Sequence, residues 1–526
     1  MKVMKHNKIL TAFLGLATLF ATSQGVAQDN TYTSVLSEHT WHRLSVAEEG
    51  VYKLDYTTLE AMGIDMQALN PDQIRIFGNP SGALPEKNSE PRPDDLTEMA
   101  IYVTGAEDGV FDAQDVVLFY GQEPTRWKLV DSNSKTYERE RNYFSDSTYY
   151  YLCVDSGVEG LRVGEKTTLP VEGTTTVITD FPDFVWHEAE LMSPYFQGQN
   201  WLGECIDQPD SLFCLPFVFP NLVTSKPSSM KSQVLGRMKD VSMYYDAWVN
   251  DNHLANHTVI SKYGDNYYGN MASLNKQVTL DSDTAEFKLS FSASKTASLY
   301  LDYVEIYAWR TLKRVGESFP FRLMPSQFGD ETSAVWVQNT DDNHWLWEVT
   351  NPLRPVLQNG VLSAGNLVFA TDEQTEKRYL MFNPDAAFQV PHWKAIANQN
   401  VHSIADADML ILTPALFKQQ AQALADYHAE LDGMLSVVVD VDEILNEFGT
   451  GTPDPSAIRD FVRMVYRRSG GRLQYLTLFG RASVDYRDIK GYGQNFVPTY
   501  EALANPHHEV SFCTDDFFGL MDDNEG

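Results

Sequence analysis

The hydrophobic pattern of this 526-residue chain changes once, near residue 408, where helical stripes begin to separate the strand-like runs. "DMLILT" at 408–413 predicts a short buried strand, followed by a helix over 415–432. "LSVVVDV" predicts the next strand, and "QYLTLFG" predicts a third after a second helix. The order strand, helix, strand, helix, strand predicts a parallel sheet covered by helices.

Both predicted helices carry an apolar stripe. The first ends at Gly433, and the second begins with Asp454 as N-cap and Pro455 at the first helical position. In the first helix the apolar residues recur at steps of three and four: Phe417, Ala421, Leu424, Tyr427 and Leu431. In the second they are Ile458, Phe461, Val462, Val465 and Tyr466. Each stripe is expected to face the sheet.

The chain before residue 400 predicts β structure almost throughout. Alternating or apolar runs such as "GVYKLDY", "VVLFYG" and "AEFKLSFSA" are separated by polar turns, which is typical of sandwiches or jelly rolls. Trp248 and Trp309 are interpreted as core residues, although a sugar groove would also use such rings. The predicted organisation is multidomain: a signal peptide at 1–27, β domains at 28–165 and 166–320, a further β segment or connector at 321–400, and an α/β domain at 401–526.

Charge and the N-terminus narrow the possible partners. The formal net charge of −32 repels nucleic acid and anionic lipid, so neither is an expected partner. A basic start, an apolar run and small residues before Gln28 predict a secretory signal peptide. No later run reaches the roughly 18 apolar residues that a membrane-spanning helix needs. The protein is therefore expected to be exported, without a direct membrane span.

Export permits disulfides, and two of the four cysteines have suitable spacing. Cys205 and Cys214 flank "IDQPDSLF", whose Pro and Asp favour a turn, so a disulfide between them is predicted. Cys153 is expected to be a free buried thiol.

Asp108, Asp112 and Asp115 surround Gly109 and superficially resemble an acidic calcium loop. Their spacing does not fit the EF-hand pattern, and an Asp108–Gly109 turn explains the same residues. The turn is the favoured interpretation, structural calcium stays an alternative, and no other cofactor is expected.

Catalytic motifs are sparse. The sequence lacks G-x-S-x-G, H-E-x-x-H, the Walker loop and the G-x-G-x-x-G dinucleotide loop. "PHHEVSFCTDD" at 506–516 has the most varied titratable groups: His507, His508, Glu509, Cys513, Asp515 and Asp516. They lack a recognised zinc spacing, and the acidic neighbours would raise the pKa of the Cys513 thiol. A polar loop is therefore favoured over a metal site or a His508–Cys513 nucleophilic pair.

Several long stretches resemble a known family. Those before residue 400 are similar to the N-terminal β region of the cell-surface sortases of the type IX secretion system of the Bacteroidota: "IRIFGNPSGALPE", "EDGVFDAQDVVLFYG", "RNYFSDSTYYYL" and "YLDYVEIYAWRTL". Those after residue 450 resemble the opening of its gingipain-like (caspase-like) cysteine peptidase domain: "GTPDPSAIRDFVR", "YLTLFGRASVDYRDI", "VPTYE" and "TDDFFGLMDD".

The resemblance implies a cysteine endopeptidase that removes the C-terminal sorting domain of exported cargo and can join the new terminus to anionic lipopolysaccharide. It also implies other secretion components at the outer membrane as partners. Arg481 departs from the family, which commonly carries Asp at this position. The family's catalytic His and Cys have no counterpart here, so both are expected after Gly526, and this chain is expected to be an inactive N-terminal fragment.

Two alternatives stay open. A secreted gingipain-like protease without a sorting role would share the α/β part, but the extensive β modules favour the sortase. A non-catalytic surface adhesin would explain the β modules, but not the pattern at 408–480.

Overall fold

The computed structural model describes residues 32–131, 136–194, 198–239, 241–264, 267–293, 296–493, 495–503 and 511–526. The predicted signal peptide at 1–27 lies outside these residues. Strands dominate up to residue 400, and three of the four α-helices of the described residues lie after it. The predicted fold class, β modules followed by an α/β domain, is confirmed.

The elements before residue 320 are almost all strands. They are β1 (Trp41–Val46), β2 (Gly50–Asp55), α1 (Tyr56–Ala61), β3 (Arg75–Gly78), β4 (Thr97–Met99), β5 (Tyr102–Val103), β6 (Val116–Gly121), β7 (Arg126–Asp131), β8 (Thr136–Glu140), β9 (Thr148–Cys153), β10 (Gly164–Lys166), β11 (Thr176–Ile178), β12 (Asp180–His187), β13 (Cys205–Ile206), β14 (Phe213–Val218), β15 (Ser228–Arg237), β16 (Met243–Val249), β17 (Asn252–Ile260), β18 (Asn270–Val278), β19 (Thr284–Ser292) and β20 (Ser298–Thr311).

The elements after residue 317 include the remaining helices. They are β21 (Ser318–Leu323), β22 (Ser333–Gln338), β23 (Trp345–Glu348), β24 (Val356–Gln358), β25 (Val361–Ser363), β26 (Asn366–Thr371), β27 (Lys377–Phe382), β28 (Phe388–Gln389), β29 (His392–Ile396), β30 (Met409–Thr413), α2 (Lys418–Asp432), β31 (Ser436–Asp440), α3 (Val441–Phe448), α4 (Pro455–Arg468), β32 (Tyr475–Leu478), β33 (Tyr500–Glu501) and β34 (Cys513–Thr514).

Apart from β7 and β8, which form a separate hairpin, the strands before residue 400 form three sandwiches, each of two sheets around an apolar core. The first pairs sheet β29-β1-β9-β3-β4 with sheet β28-β2-β6-β5 around Leu44, Leu54, Phe119 and Leu152. The second pairs β10-β24-β23-β27-β21 with β11-β22-β26-β25. The third pairs β12-β20-β15-β18 with β14-β19-β16-β17.

These sandwiches are nested in the chain. The third, built from residues 180–311, lies between strands β11 and β21 of the second. The second in turn lies between β9 and β28 of the first, because β28 pairs with β2 and β29 pairs with β1. The range 321–400, predicted as a further β segment or connector, therefore contributes strands to two sandwiches.

The C-terminal part contains the predicted parallel sheet, in the order β31-β30-β32. Helix α2 packs on one face of the sheet through Ala421 and Ala425. Helices α3 and α4 cover the other face, where Phe448 and Phe461 meet Leu412. The sheet is therefore sandwiched between helices, as the sequence predicts.

Two details of these helices differ from the prediction. The stripe of α2 is narrower than expected, because Tyr427 and Leu431 are 56% and 64% exposed. Helix α3 was not predicted: Asp440 ends β31 and immediately caps α3, accepting a hydrogen bond from the Asp442 backbone N–H at 3.1 Å. A strand that runs directly into a helix leaves no turn signal between them.

Candidate functional site

The carboxyl ends of the three parallel strands are where an open α/β sheet usually binds its ligand. Thr413, at the end of β30, donates from its hydroxyl to the Phe479 carbonyl oxygen at 3.1 Å. Arg481 follows β32, and its carbonyl oxygen accepts from the Phe496 backbone N–H at 2.9 Å. Its exposed guanidinium forms no ion pair with any described residue. This edge therefore presents a cation at the position where the family that the chain resembles commonly carries Asp.

The loop after β32 is held by a buried carboxylate. Asp485 accepts hydrogen bonds from the backbone N–H groups of Ile489 and Lys490, at 2.7 and 2.6 Å. The neighbouring Tyr486 donates to the Gln199 carbonyl oxygen of the third sandwich at 2.8 Å. The strand-end region is thus anchored to the β modules.

Cys513 lies on β34, directly opposite Glu501 of β33. Burial, followed by the negative charges of Glu501 and Asp515, raises the pKa of the Cys513 thiol to about 11, although the Gly198 backbone N–H opposes this shift. Burial also raises the pKa of Glu501 to about 8. Because a thiolate is the reactive form of cysteine, this thiol is poorly suited to act as a nucleophile.

The structure describes only some of the other residues of the candidate cluster at 506–516. His507, His508 and Glu509 lie outside the described residues. Asp515 accepts a hydrogen bond from the Thr499 hydroxyl at 2.7 Å, and Asp516 begins a short 3₁₀ turn. Within the described ranges, no group of three or more His, Cys, Asp or Glu side chains is arranged to hold a metal ion.

The predicted Cys205–Cys214 disulfide is not present in the structure, where both residues are free thiols. Cys205 pairs with Tyr300 in one sheet of the third sandwich, and Cys214 pairs with Lys288 in the opposite sheet. The turn between them changes sheets, which short sequence spacing does not reveal. Cys153 is a buried free thiol, as predicted, and burial raises its pKa to about 11.

The acidic loop at 104–115 has the predicted turn chemistry. Asp108 accepts from the Val110 backbone N–H at 2.9 Å, and Gly109 has φ +76°. Asp115 is buried and accepts from the Asp112 backbone N–H at 2.8 Å. The carboxylates thus stabilise the connection between β5 and β6.

Two glycines of this loop provide a matched test. Gly105→Ala is expected to lower the free energy of unfolding by about 3 kcal/mol, because φ is +69° and the new Cβ would lie 1.6 Å from the buried Asp115 carboxylate. Gly109→Ala also places a side chain at positive φ but has open space around it, so about 1 kcal/mol is expected. Urea titration of both variants measures the difference, and equal losses would contradict the proposed Asp115 clash.

A buried charged cluster that no sequence motif predicts lies where the C-terminal segment meets the first sandwich. His402 Nδ1 lies 2.5 Å from Glu447 Oε2, and His402 Nε2 lies 3.2 Å from the Asp94 carbonyl oxygen. The imidazole stacks on Phe448 at a centroid distance of 4.4 Å. Burial would lower the pKa of His402, but hydrogen bonds to Asp94 and Glu447 outweigh it and raise the pKa to about 9.

Glu447 connects this cluster to the chain around it. Its carboxylate also accepts from the backbone N–H groups of Val401 and His402, at 2.9 and 3.1 Å. The cluster therefore clamps the start of the C-terminal segment onto α3 and onto the loop at Asp94. Its groups are fully engaged with one another, which is typical of a structural role rather than a catalytic one.

The C-terminal segment is similar to a known protein family. Residues 402–526 match the model of peptidase family C25. We call residues 402–526, the range of this match, the peptidase segment. The match begins at His402 and includes the parallel sheet, its helices and Cys513. No curated protein matches the chain.

One solved structure has a similar fold over 94% of this chain. Dimeric latent PorU from Porphyromonas gingivalis matches over 94% of this chain and 47% of its own, with 23% sequence identity and a TM-score of 0.79. The chain thus has a PorU-like fold and spans about half the length of that structure. A carbohydrate-binding module, CBM36 in complex with calcium and xylotriose, covers 23% of this chain and 98% of its own, at 14% identity and a TM-score of 0.16. A score that low supports no inference about this chain.

None of the helices in the described ranges is long and apolar enough to cross a membrane.

Proposed function

We propose that the whole protein is a cell-surface sortase of the type IX secretion system. In this proposal it is a cysteine endopeptidase that removes the C-terminal sorting domain of exported cargo and can transfer the cargo to anionic lipopolysaccharide. The observation that carries the proposal is the match of residues 402–526 to peptidase family C25. The PorU-like fold of the preceding β modules supports a sorting enzyme over a C25 peptidase without a sorting role.

The proposal assigns no catalytic residue to the chain described here. Cys153 and Cys513 are thiols whose pKa is raised to about 11, while Cys205 and Cys214 lie outside the peptidase segment. We therefore propose that the nucleophilic Cys, and the His that acts as its base, belong to the part of the peptidase domain that follows the matched segment. The thiolate would attack the scissile carbonyl while the His transfers the proton to the leaving amine.

The proposed partners follow from the same role. They are exported cargo proteins with C-terminal sorting domains and other outer-membrane components of the secretion system. The signal peptide predicted at 1–27 would direct the protein to the cell surface.

Gene deletion followed by complementation tests this function. Deletion is expected to make cargo accumulate with its sorting domain uncleaved, and the intact gene is expected to restore cleavage. Cargo mass is measured in cell and medium fractions. Normal cargo processing in the deletion strain, with loss only of general proteolysis in the medium, would instead support a secreted protease without a sorting role.

Cys513→Ala in the full-length protein is expected to leave cargo cleavage nearly unchanged, because burial and two nearby carboxylates hold this thiol protonated. The measurement is the fraction of cargo that keeps its sorting domain. Cys153→Ala is the matched control, since it removes a second thiol of similarly raised pKa, from strand β9 of the first sandwich. A block of cleavage by Cys513→Ala alone, with the protein folded and abundant, would show that Cys513 is the nucleophile.

A further inference from the structure

A cavity of about 630 Å³ lies on the outer face of the sheet β12-β20-β15-β18, beside the β7–β8 hairpin. The inner face of this sheet carries Met230 and Ile306 into the core of the third sandwich. The outer face carries Tyr307 and Trp309, which belong to a separate aromatic cluster. The cavity is far from the peptidase segment in the chain, and the proposed sortase chemistry does not use it.

One end of the cavity is aromatic. Trp127 stacks on Phe184 at a centroid distance of 4.5 Å, which fixes the hairpin against the sheet. Tyr307 and Trp309 stand edge to face at 6.5 Å, and both are half-buried. Trp309, interpreted from the sequence as a core residue, therefore lines a cavity, while Trp248 lies on the opposite sheet and stacks on His253.

The other end of the cavity is polar, and the strand register places its groups beside the rings. Tyr307 lies opposite Ser229, and Ser229 lies opposite Gln277, so the three form one row across the sheet. Lys231 lies two residues further along, opposite Glu305. Glu305 is bound by Arg139 at 2.9 Å, whereas the side chains of Ser229, Lys231 and Gln277 have no partner among the described residues. These three groups are free to bind a ligand.

The position of the cavity restricts what it can hold. It lies on the face of the sheet, across all four strands, whereas an extended peptide adds as a strand only along a sheet edge. The net charge of −32 disfavours a polyanion such as nucleic acid. A ligand here would meet the rings at one end, where the Lys226 ammonium lies over the Trp309 ring at 3.8 Å, and hydrogen-bonding side chains at the other.

We propose that this cavity binds a short oligosaccharide. A sugar ring has an apolar C–H face, which would pack against Tyr307 and Trp309, and a rim of hydroxyl groups that would bond to Ser229, Gln277 and Lys231. The volume lies within the range of about 300–1,000 Å³ that is usual for ligand pockets. This proposal is independent of the peptidase activity and would hold if the sortase proposal failed.

Isothermal titration of the whole chain with the neutral oligosaccharides cellohexaose, maltohexaose and xylohexaose tests the proposal. At least one probe is expected to bind. Trp309→Ala is expected to weaken that binding at least about tenfold, and Gln277→Ala about threefold, as loss of one ring or one hydrogen bond implies. Gln277 is exposed, so its variant reports on binding without threatening the fold.

Trp336→Ala is the matched control, because Trp336 is an exposed tryptophan on β22 of the second sandwich. Its affinity for the probe is expected to equal that of the unmodified chain. The proposal is overturned if no probe binds at concentrations up to about 10 mM, or if Trp309→Ala and Gln277→Ala bind as tightly as Trp336→Ala.

Discussion

Replacing His402 with phenylalanine is expected to remove a pH-dependent contribution of about 3 kcal/mol from the stability of the peptidase segment. The folded-state pKa of His402 is about 9, against an ordinary value of 6.5. A raised histidine pKa means that the folded protein binds the proton more tightly than the unfolded chain. The contribution is therefore fully present below about pH 6.5 and is lost as the pH rises through about 9.

Urea titrations at pH 6 and pH 10, followed by circular dichroism at the helical band, measure this effect. The signal reports on the peptidase segment, because three of the four helices in the described residues lie there. His402→Phe is chosen because a ring can still stack on Phe448. The gap between the unmodified chain and the variant should be about 3 kcal/mol wider at pH 6 than at pH 10.

His428→Phe is the control for this experiment. His428 forms a partly exposed pair with Asp432 within helix α2, at 2.8 Å. Such pairs contribute about 0.2–1 kcal/mol, so the variant should differ little from the unmodified chain at either pH. If His402→Phe shows the same small loss at both pH values, the clamp between His402, Glu447 and Asp94 does not hold its proton as described.

The sequence predicted individual elements well because they depend on local patterns. The alternation in "GVYKLDY" and the apolar run "VVLFYG" give β2 and β6, and Asp454 with Pro455 begins α4. Local patterns do not identify the pairing partner of each strand. Periodicity shows that a stretch is a strand but not which strand it joins, so the pairing of β29 with β1 and the nesting of the sandwiches could not be predicted.

In the candidate site, too, local patterns predicted properties of single residues but not the contacts between distant ones. Acidic neighbours predicted a raised pKa for the Cys513 thiol, and the structure agrees in direction but makes burial the largest cause and adds Glu501. The His402–Glu447 pair is separated by 45 positions and has no motif, so only the packed structure brings it together. Tyr427 and Leu431 belong to the predicted apolar stripe of α2 but are exposed, because amphipathic spacing does not show how much of a helix its neighbours cover.

A second charged cluster joins the end of the β7–β8 hairpin, the segment after β12 and the peptidase segment. Arg141 binds Glu188 at 2.5 Å and also binds Glu190. Arg487 of the peptidase segment contacts the same Glu190 at 3.0 Å. Burial raises the pKa of Glu190 to about 7, although the charges of Arg141 and Arg487 oppose this shift. The network therefore depends on its arginines to keep Glu190 ionised.

Arg141→Met is expected to destabilise the protein by about 3 kcal/mol at pH 8, because it removes one of the two arginines that bind each of the buried carboxylates Glu188 and Glu190. The loss should be smaller at pH 5. Without Arg141 the folded-state pKa of Glu190 rises further above about 7, so the loss relative to the unmodified chain is smallest in acid, where both folded forms are protonated, and grows as the pH rises above about 7. Thermal unfolding at the two pH values gives the measurement.

A second substitution tests whether the charge of the Glu190 carboxylate causes the loss of stability in Arg141→Met. Adding Glu190→Gln to Arg141→Met removes a carboxylate that has lost one of its two arginines, and Arg487 still keeps Asp146. The double variant should regain at least about half of the lost stability at pH 8 and lose the pH dependence. Lys128→Met, which breaks a pair in which the lysine is 63% exposed, should cost less than about 1 kcal/mol. If the double variant is no more stable than Arg141→Met, the destabilisation comes from lost packing and not from the charge of the Glu190 carboxylate.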